Sequence, residues 1–193
     1  MRAPKWLPFG ILSGLLAVIT STVPGAAVVE ATTPIGFVAH LSGYREVHLI
    51  SGPPVALRGA VSTRGRGRFL ATINQSQDSI DFELAYAGLE GDVTQAHIHF
   101  GQPRTVGGIV VWLCQTAAVP APAAVSAVTP TCPVSGTVTG SINASQVLAV
   151  TGQGIDAGEF AELTRAIRAG ATYVNVSSSL FPPGEIRGQI RER

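Results

Sequence analysis

The sequence predicts a mostly β protein, an antiparallel β-sandwich or flattened barrel with one short helix insertion. Glycine (22 residues) and proline (13) are abundant in the 193 residues, which suits many short strands joined by turns. Apolar and polar residues alternate in several short segments, the pattern of half-buried strands. One segment near the C-terminus instead has the three-to-four-residue spacing of an amphipathic helix.

The predicted strands follow one another along most of the chain. The clearest spans residues 79–84, in which Ile80, Phe82 and Leu84 point to one face. Asp81 and Glu83 point to the other face, as expected of a strand buried on one side. The other predicted strands span residues 36–41, 58–73, 94–100, 108–113, 171–177 and 185–191. Strands at this spacing are typical of an antiparallel sandwich or barrel.

Asp156 is predicted to cap the helix insertion, with Glu159 three residues later forming a capping box. Three apolar residues then share one helix face, namely Phe160, Leu163 and Ile167. Gly170 is a natural end for this helix. Residues 143–150 are a candidate for a further short helical turn.

The N-terminal segment has the pattern of a secretory signal peptide. Arg2 and Lys5 give it a positive start, and a mostly apolar run covers residues 9–19. Gly25-Ala26-Ala27 then supplies small residues before a cleavage site. The alternative is an uncleaved anchor, although the apolar run is short for a membrane span of ~20 residues.

These features divide the chain into three parts. We predict a signal peptide at residues 1–27, a linker at 28–34 and one β domain at 35–193. Removal of the signal peptide takes away two basic residues and no acidic ones, so the net charge falls from +1 to −1. A near-neutral domain has no general electrostatic attraction to nucleic acid or anionic membranes. We therefore expect no nucleic-acid partner and no membrane contact beyond the signal peptide.

The two cysteines are Cys114 and Cys132. Disulfides form readily after export, so pairing is the expected state. The bridge would enclose residues 115–131, and a loop of this size corresponds to about 3 kcal/mol of stabilisation in the chain-entropy treatment. Free or metal-ligating thiols are the alternative.

Several separated segments share a pattern with one known family. They are Leu41-Ser42-Gly43, Glu46-Val47, Pro53-Pro54-Val55, Ala96-His97-Ile98-His99-Phe100-Gly101, Gly107-Gly108-Ile109-Val110-Val111, Tyr173-Val174-Asn175-Val176 and Pro183-Gly184-Glu185-Ile186-Arg187-Gly188-Gln189. From about Phe37 to Gln189, the chain resembles the CHRD domain, the repeat named after chordin. Two departures are residues 48–52, which interrupt the early motif, and Ser177-Ser178, where the family commonly has His-Thr.

The resemblance implies an extracytoplasmic β domain that serves as a binding or structural module. No catalytic constellation comes with it, and the sequence contains no nucleophile elbow, phosphate loop or zinc-protease motif. We therefore predict a secreted or cell-surface, non-catalytic module. Its partner would be an unknown protein or an extracellular polymer, and no cofactor is expected.

His97 and His99 are the most conspicuous candidate site residues. On a strand, residues two apart project from one face, so both imidazoles could bind one copper or zinc ion. The His-x-His strand resembles that of copper/zinc superoxide dismutase, which gives the alternative of a metal-binding protein or weak redox enzyme. His48 is the candidate third ligand. The competing interpretation is that the histidines hydrogen-bond to the backbone or to carboxylates and tie loops together.

Glu185 and Arg187 are also spaced two apart, with Ile186 facing inward between them. They form either a ligand-facing ion pair or a structural network, and a structural salt bridge or a carboxylate that accepts backbone N–H bonds is favoured. Glu46 is the expected third member of this network.

Three arginines, Arg64, Arg66 and Arg68, alternate with glycine. We expect a solvated edge strand or hairpin, because like charges on an edge deter aggregation. The alternative is a grip on sulfated or phosphorylated polymers.

Overall fold

The computed structural model describes residues 34–50 and 57–193. The predicted signal peptide, nearly all of the linker and the Pro53-Pro54-Val55 motif lie outside the described residues. The strands are β1 (Ile35–Ser42), β2 (His48–Ile50), β3 (Leu57–Gly59), β4 (Arg66–Ile73), β5 (Ile80–Ala87), β6 (Val93–Phe100), β7 (Gly108–Cys114), β8 (Gly136–Ile142), β9 (Thr172–Ser178), β10 (Ile186–Gln189) and β11 (Arg191–Glu192), and the helix is α1 (Phe160–Arg168).

One antiparallel sheet forms most of the domain. Its strand order is β7-β6-β9-β10-β1-β4-β5-β8, and β11 pairs with β1 beside β10. Strands β2 and β3 pair separately. The two outermost strands of the large sheet, β7 and β8, approach each other, so the sheet is nearly closed into a barrel. The predicted mostly β fold with one short helix is confirmed.

The disulfide lies where the two outermost strands approach. Cys114 is the last residue of β7, and Cys132 precedes β8 by a few residues. The backbone N–H of Cys132 donates to Gln115 O at 2.8 Å, and the N–H of Gln115 donates to Pro130 O at 2.9 Å. The predicted Cys114–Cys132 bridge is confirmed, and it anchors the long excursion between β7 and β8.

The hydrophobic core fills the inside of the sheet. In β5, Ile80, Phe82 and Leu84 are buried while Asp81 and Glu83 are exposed, as the alternation predicted. Each large apolar side chain buried in this way contributes roughly 1.5–3 kcal/mol. The largest fully buried side chains are Phe37, Leu41, Phe69, Ile73, Ile80, Leu84, Ile98, Leu113, Ile142, Leu163, Ile186 and Ile190.

Several predicted elements have different bounds in the structure. The stretch at residues 58–73 is two strands, β3 and β4, separated by residues 60–65. Within this connection the buried Thr63 donates its hydroxyl to Glu185. Strand β8 was not predicted, since its glycines, threonines and serine show little alternation. At residues 143–150 there is a short 3₁₀ turn at Ala144–Gln146, capped by the Asn143 side chain.

The helix is capped three residues later than predicted. Its N-cap is Glu159, and the Asp156 N–H donates to the Glu159 carboxylate at 2.8 Å. The three apolar residues Phe160, Leu163 and Ile167 are buried on one face, as predicted.

The arginine-rich segment does not form a sheet edge. Strand β4, which carries Arg66 and Arg68, is hydrogen-bonded to β1 on one side and to β5 on the other. The expectation of an edge strand is therefore wrong, but the hairpin alternative is present, because β4 and β5 are consecutive antiparallel strands. All three arginine side chains are exposed, as expected. Within the described part of the chain, no helix is both long enough and apolar enough to cross a bilayer.

Candidate functional site

The polar site residues lie on the face of β6, β9 and β10 that points away from the core. Residues directly opposite each other in an antiparallel sheet share a face. Arg187 is opposite Asn175, which is opposite His97. Two residues further along each strand, and so on the same face, Tyr173 is opposite His99. The intervening residues point the other way, into the hydrophobic core.

Five planar side chains follow one another across this face, and we call them the ring stack: Arg187, Tyr173, His99, His97 and Trp112. The Arg187 guanidinium carbon lies 3.3 Å from the Tyr173 ring centroid. The Tyr173 and His99 rings are nearly parallel, with centroids 4.7 Å apart. His97 meets His99 edge-on at 5.5 Å and Trp112 edge-on at 4.3 Å. The two histidines therefore share a face, and aromatic neighbours enclose them.

The loop between β6 and β7, residues 101–107, contacts the Arg187, Tyr173 and His99 side chains of the ring stack. Arg187 donates to Thr105 O at 2.7 Å and to Gln102 O at 3.2 Å. His99 Nδ1 lies 2.9 Å from Gly107 O, and the Gly107 N–H donates to the Tyr173 hydroxyl at 3.2 Å. Side chains of the sheet thus hold this loop by its backbone.

The His99 contact fixes a tautomer. A carbonyl oxygen only accepts hydrogen bonds, so His99 Nδ1 carries the proton. Its Nε2 is then a bare acceptor, and both His99 Nε2 and His97 Nε2 are buried without a partner. Burial and the neighbouring His99 lower the pKa of His97 to about 3. Burial and the charge of Arg187 lower the pKa of His99 to about 4. Both imidazoles are therefore neutral near pH 7.

Glu46 lies beside Arg187 and is bonded to Asn175. Its Oε2 accepts from Asn175 Nδ2 at 2.9 Å, and its Oε1 accepts from the Val47 N–H at 2.9 Å. Burial raises the pKa of Glu46, although its hydrogen bonds and the charge of Arg187 act in the opposite direction. A β-carbon at Gly184, whose φ is +144°, would overlap the Asn175–Glu46 bond. Only glycine fits there without displacing that bond.

Glu185 belongs to a different set of contacts. Its side chain, 0 % exposed, accepts from the Thr63 hydroxyl at 2.6 Å and from the N–H groups of Glu90 at 2.7 Å and Gly91 at 3.4 Å. Burial acts to raise the pKa of Glu185, but its hydrogen bonds outweigh burial and leave the pKa below the ordinary value. Among the described residues, the ion pair within 4 Å is Arg165–Glu162. Glu185 and Arg187 are therefore not joined by a salt bridge.

The structure does not bring His48 to the β6 histidines. His48 Nε2 lies 2.5 Å from Gly184 O, and its ring centroid is 6.1 Å from that of Phe181. Across residues 34–50 and 57–193, no three histidine, cysteine or acidic side chains gather as a metal-binding group.

A cleft of about 420 Å³ opens beside Arg187 and Glu46. We call it the arginine cleft, because its walls carry four arginines and, among its lining residues, a single acid, Glu46. The arginines are Arg45, Arg104, Arg187 and Arg191. Arg104 has a left-handed backbone with φ of +66°, a conformation that non-glycine residues rarely adopt. Tyr44, a residue that is 67 % exposed, also lines the cleft.

Sequence reasoning missed several residues of this region. Tyr173 and Trp112 complete the ring stack, and Arg45, Arg104 and Arg191 line the cleft. The alternation in Tyr173-Val174-Asn175-Val176 was a usable signal, because it places Tyr173 and Asn175 on one face. The cleft arginines come from three separate segments, and no spacing in the sequence links them.

The comparison with protein families agrees with this fold. The profile of the CHRD domain matches residues 37–190. The chain therefore belongs to the CHRD domain family. No curated protein and no solved structure matches it.

Proposed function

We propose that this CHRD domain is an exported, non-catalytic binding module and that the arginine cleft holds an anionic group of its partner. The observation that carries the proposal is the charge of the cleft. Four arginines and one carboxylate line the cleft, and these arginines include Arg45 and Arg191, which are exposed. Both oxygens of the carboxylate already accept hydrogen bonds. Guanidinium groups match carboxylate, sulfate and phosphate in shape and charge.

Two observations support export. Residues 1–27 have the pattern of a signal peptide. The domain also contains the Cys114–Cys132 disulfide, and disulfides persist mainly in oxidising compartments.

A non-catalytic role is supported by the contacts of three ionisable side chains. His99 binds Gly107 O, Glu185 accepts hydrogen bonds from hydroxyl and backbone N–H groups, and Arg187 binds two backbone carbonyls. Each of them serves the fold.

The alternative of a copper or zinc protein has less support. His48 contacts Gly184 and Phe181, and the positive charge of Arg187 acts on His99. A metal cation bound to His99 would therefore be placed near a like charge.

The test is thermal unfolding of the mature protein with sodium galacturonate, a small carboxylate, at constant ionic strength. A ligand that binds the folded state raises Tm. We expect Tm to rise with galacturonate but not with its uncharged methyl ester. The rise should disappear in Arg45→Gln/Arg191→Gln, which changes two exposed cleft residues.

The matched control is Arg165→Gln/Arg168→Gln, which removes the same charge from α1, away from the cleft lining. It should keep the rise in Tm. An equal response to the methyl ester, or an unchanged response in Arg45→Gln/Arg191→Gln, would contradict the proposal.

A further inference from the structure

We infer that the partner is an acidic polysaccharide whose chain runs from the arginine cleft across β1 to a second group of arginines on β4. This inference rests on the proposed function, because it treats the arginine cleft as one end of a longer binding site. The second group lines a shallow depression of about 490 Å³, which we call the arginine hollow. Its floor includes Arg66 and Arg68 of β4 with Ala85 and Ala87 of β5.

The cleft and the hollow lie on the same face of the same sheet. Ser42 of β1 is opposite Arg187 of β10 on one side and opposite Arg66 of β4 on the other. Neighbouring strands are about 4.8 Å apart, so two strand spacings correspond to ~10 Å between the β10 and β4 positions. A single small anion cannot span this distance, whereas a polymer with repeated charges can.

The surface of β1 between the arginine cleft and the arginine hollow carries no negatively charged side chain. His40 is exposed on β1 and is opposite Arg68. Arg45, from the cleft wall, donates to His40 O at 2.8 Å and so lies against the same strand. On this face, Glu83 of β5 is opposite Leu70, beyond the rows that contain Arg66 and Arg68. An anionic chain that crosses β1 would meet arginines at both ends and no carboxylate on β1 between them.

The backbone of this face favours a polysaccharide over a peptide. Extended peptides commonly bind by adding a strand to a free sheet edge. Here β1 and β4 are both hydrogen-bonded on two sides, so neither offers a free edge. Recognition must come from side chains, and the surface offers exposed guanidiniums, the Thr137 hydroxyl and the exposed Tyr44 ring. Such donors and an amphipathic aromatic ring suit a ligand rich in hydroxyls and carboxylates.

The orientation of Arg66 adds to this argument. Its Nη1 donates to Thr63 O at 3.2 Å and to Gly65 O at 2.6 Å, so the side chain is partly held in place. A restrained arginine loses less conformational entropy when it binds an anion.

The experiment compares polygalacturonate with monomeric galacturonate on the mature, disulfide-bonded protein. Because two linked contacts reinforce each other, the polymer should bind at least ~100-fold more tightly per chain than the monomer. Arg66→Gln/Arg68→Gln should weaken polymer binding by about tenfold or more and leave the monomer response of the cleft unchanged. Arg165→Gln/Arg168→Gln is the control of equal charge and should stay within about twofold of the original protein.

The outcomes separate this inference from the proposed function. If Arg66→Gln/Arg68→Gln leaves polymer binding unchanged while the cleft variant abolishes it, the extended site is wrong and the proposed function stands. If poly-glutamate binds as tightly as polygalacturonate at equal charge, the polysaccharide assignment is wrong and an acidic peptide takes its place. If the cleft variant changes neither monomer nor polymer binding, the proposed function itself fails.

Discussion

The guanidinium of Arg187 lies 3.3 Å from the centre of the Tyr173 ring and donates to two carbonyls of the loop at residues 101–107. Arg187 is 2 % exposed, although it borders the arginine cleft. The role of Arg187 is therefore structural, because its side chain joins β10 to the loop that forms part of the cleft wall. The exposed arginines beside it, such as Arg45 and Arg191, are the ones available to a ligand.

Arg187→Lys keeps the charge but loses the planar group that stacks on Tyr173 and binds two carbonyls. We expect a loss of about 3 kcal/mol in the free energy of unfolding. Urea denaturation checks this, with the exposed Arg165→Lys as control. A loss below about 1 kcal/mol would mean that the contacts of Arg187 contribute little to stability.

His97 and His99 should make the domain sensitive to acid. Their pKa values in the folded protein, about 3 and about 4, lie below the ordinary value of 6.5. Between those limits the unfolded chain binds protons that the folded one does not, so stability is complete above pH ~6.5 and is lost as pH falls. Near pH 5 we expect a slope of about 2–3 kcal/mol per pH unit.

Urea denaturation across the range below pH 7 measures this slope. His97→Gln/His99→Gln should flatten it, and His40→Gln, which alters an exposed histidine, should not. NMR titration of the original protein gives an independent reading. If either buried imidazole protonates near pH 6.5 while the domain remains folded, the account of this pair is wrong.

Glu185→Gln should destabilise the domain, because the Glu185 side chain acts as an acceptor in all of its hydrogen bonds. An amide in its place turns an NH₂ group toward a hydroxyl or backbone N–H. We expect a loss of about 3 kcal/mol, against less than about 0.5 kcal/mol for the exposed Glu83→Gln. The difference should shrink as pH falls below the ordinary carboxyl pKa, because the lowered pKa of Glu185 contributes stability only above that range. Equal losses in the two variants would contradict this assignment.

Metal should not be part of the domain. His97 and His99 lack a third protein ligand among the described residues, and Arg187 lowers the affinity of His99 for positive charge. We expect elemental analysis of untagged, mature protein to find no stoichiometric copper or zinc, and Tm to be unchanged when either ion is added. One equivalent of metal that disappears in His97→Ala/His99→Ala would support the metalloprotein alternative instead.

The sequence predicts those elements whose pattern of apolar and polar residues is visible within the element itself. Strand β5 was predictable because its alternation is strict, and α1 because its apolar residues recur at helical spacing. Strand β8 was not, because a strand of small polar residues is stabilised by pairing with β5 rather than by its own pattern. His97 and His99 were found from their spacing, but their partners Tyr173 and Arg187 lie on strands far along the chain.

The central claim is that the arginine cleft, rather than the histidine pair, is the binding site. The most direct measurement is a ¹H–¹⁵N NMR titration of the mature protein with sodium galacturonate. We predict that the backbone signals which shift belong to the cleft, at Tyr44, Arg45, Val47, Arg104 and Arg191. Signals of His97 and Trp112 should stay in place. Shifts centred on the histidine pair, or no shifts at all, would contradict the account.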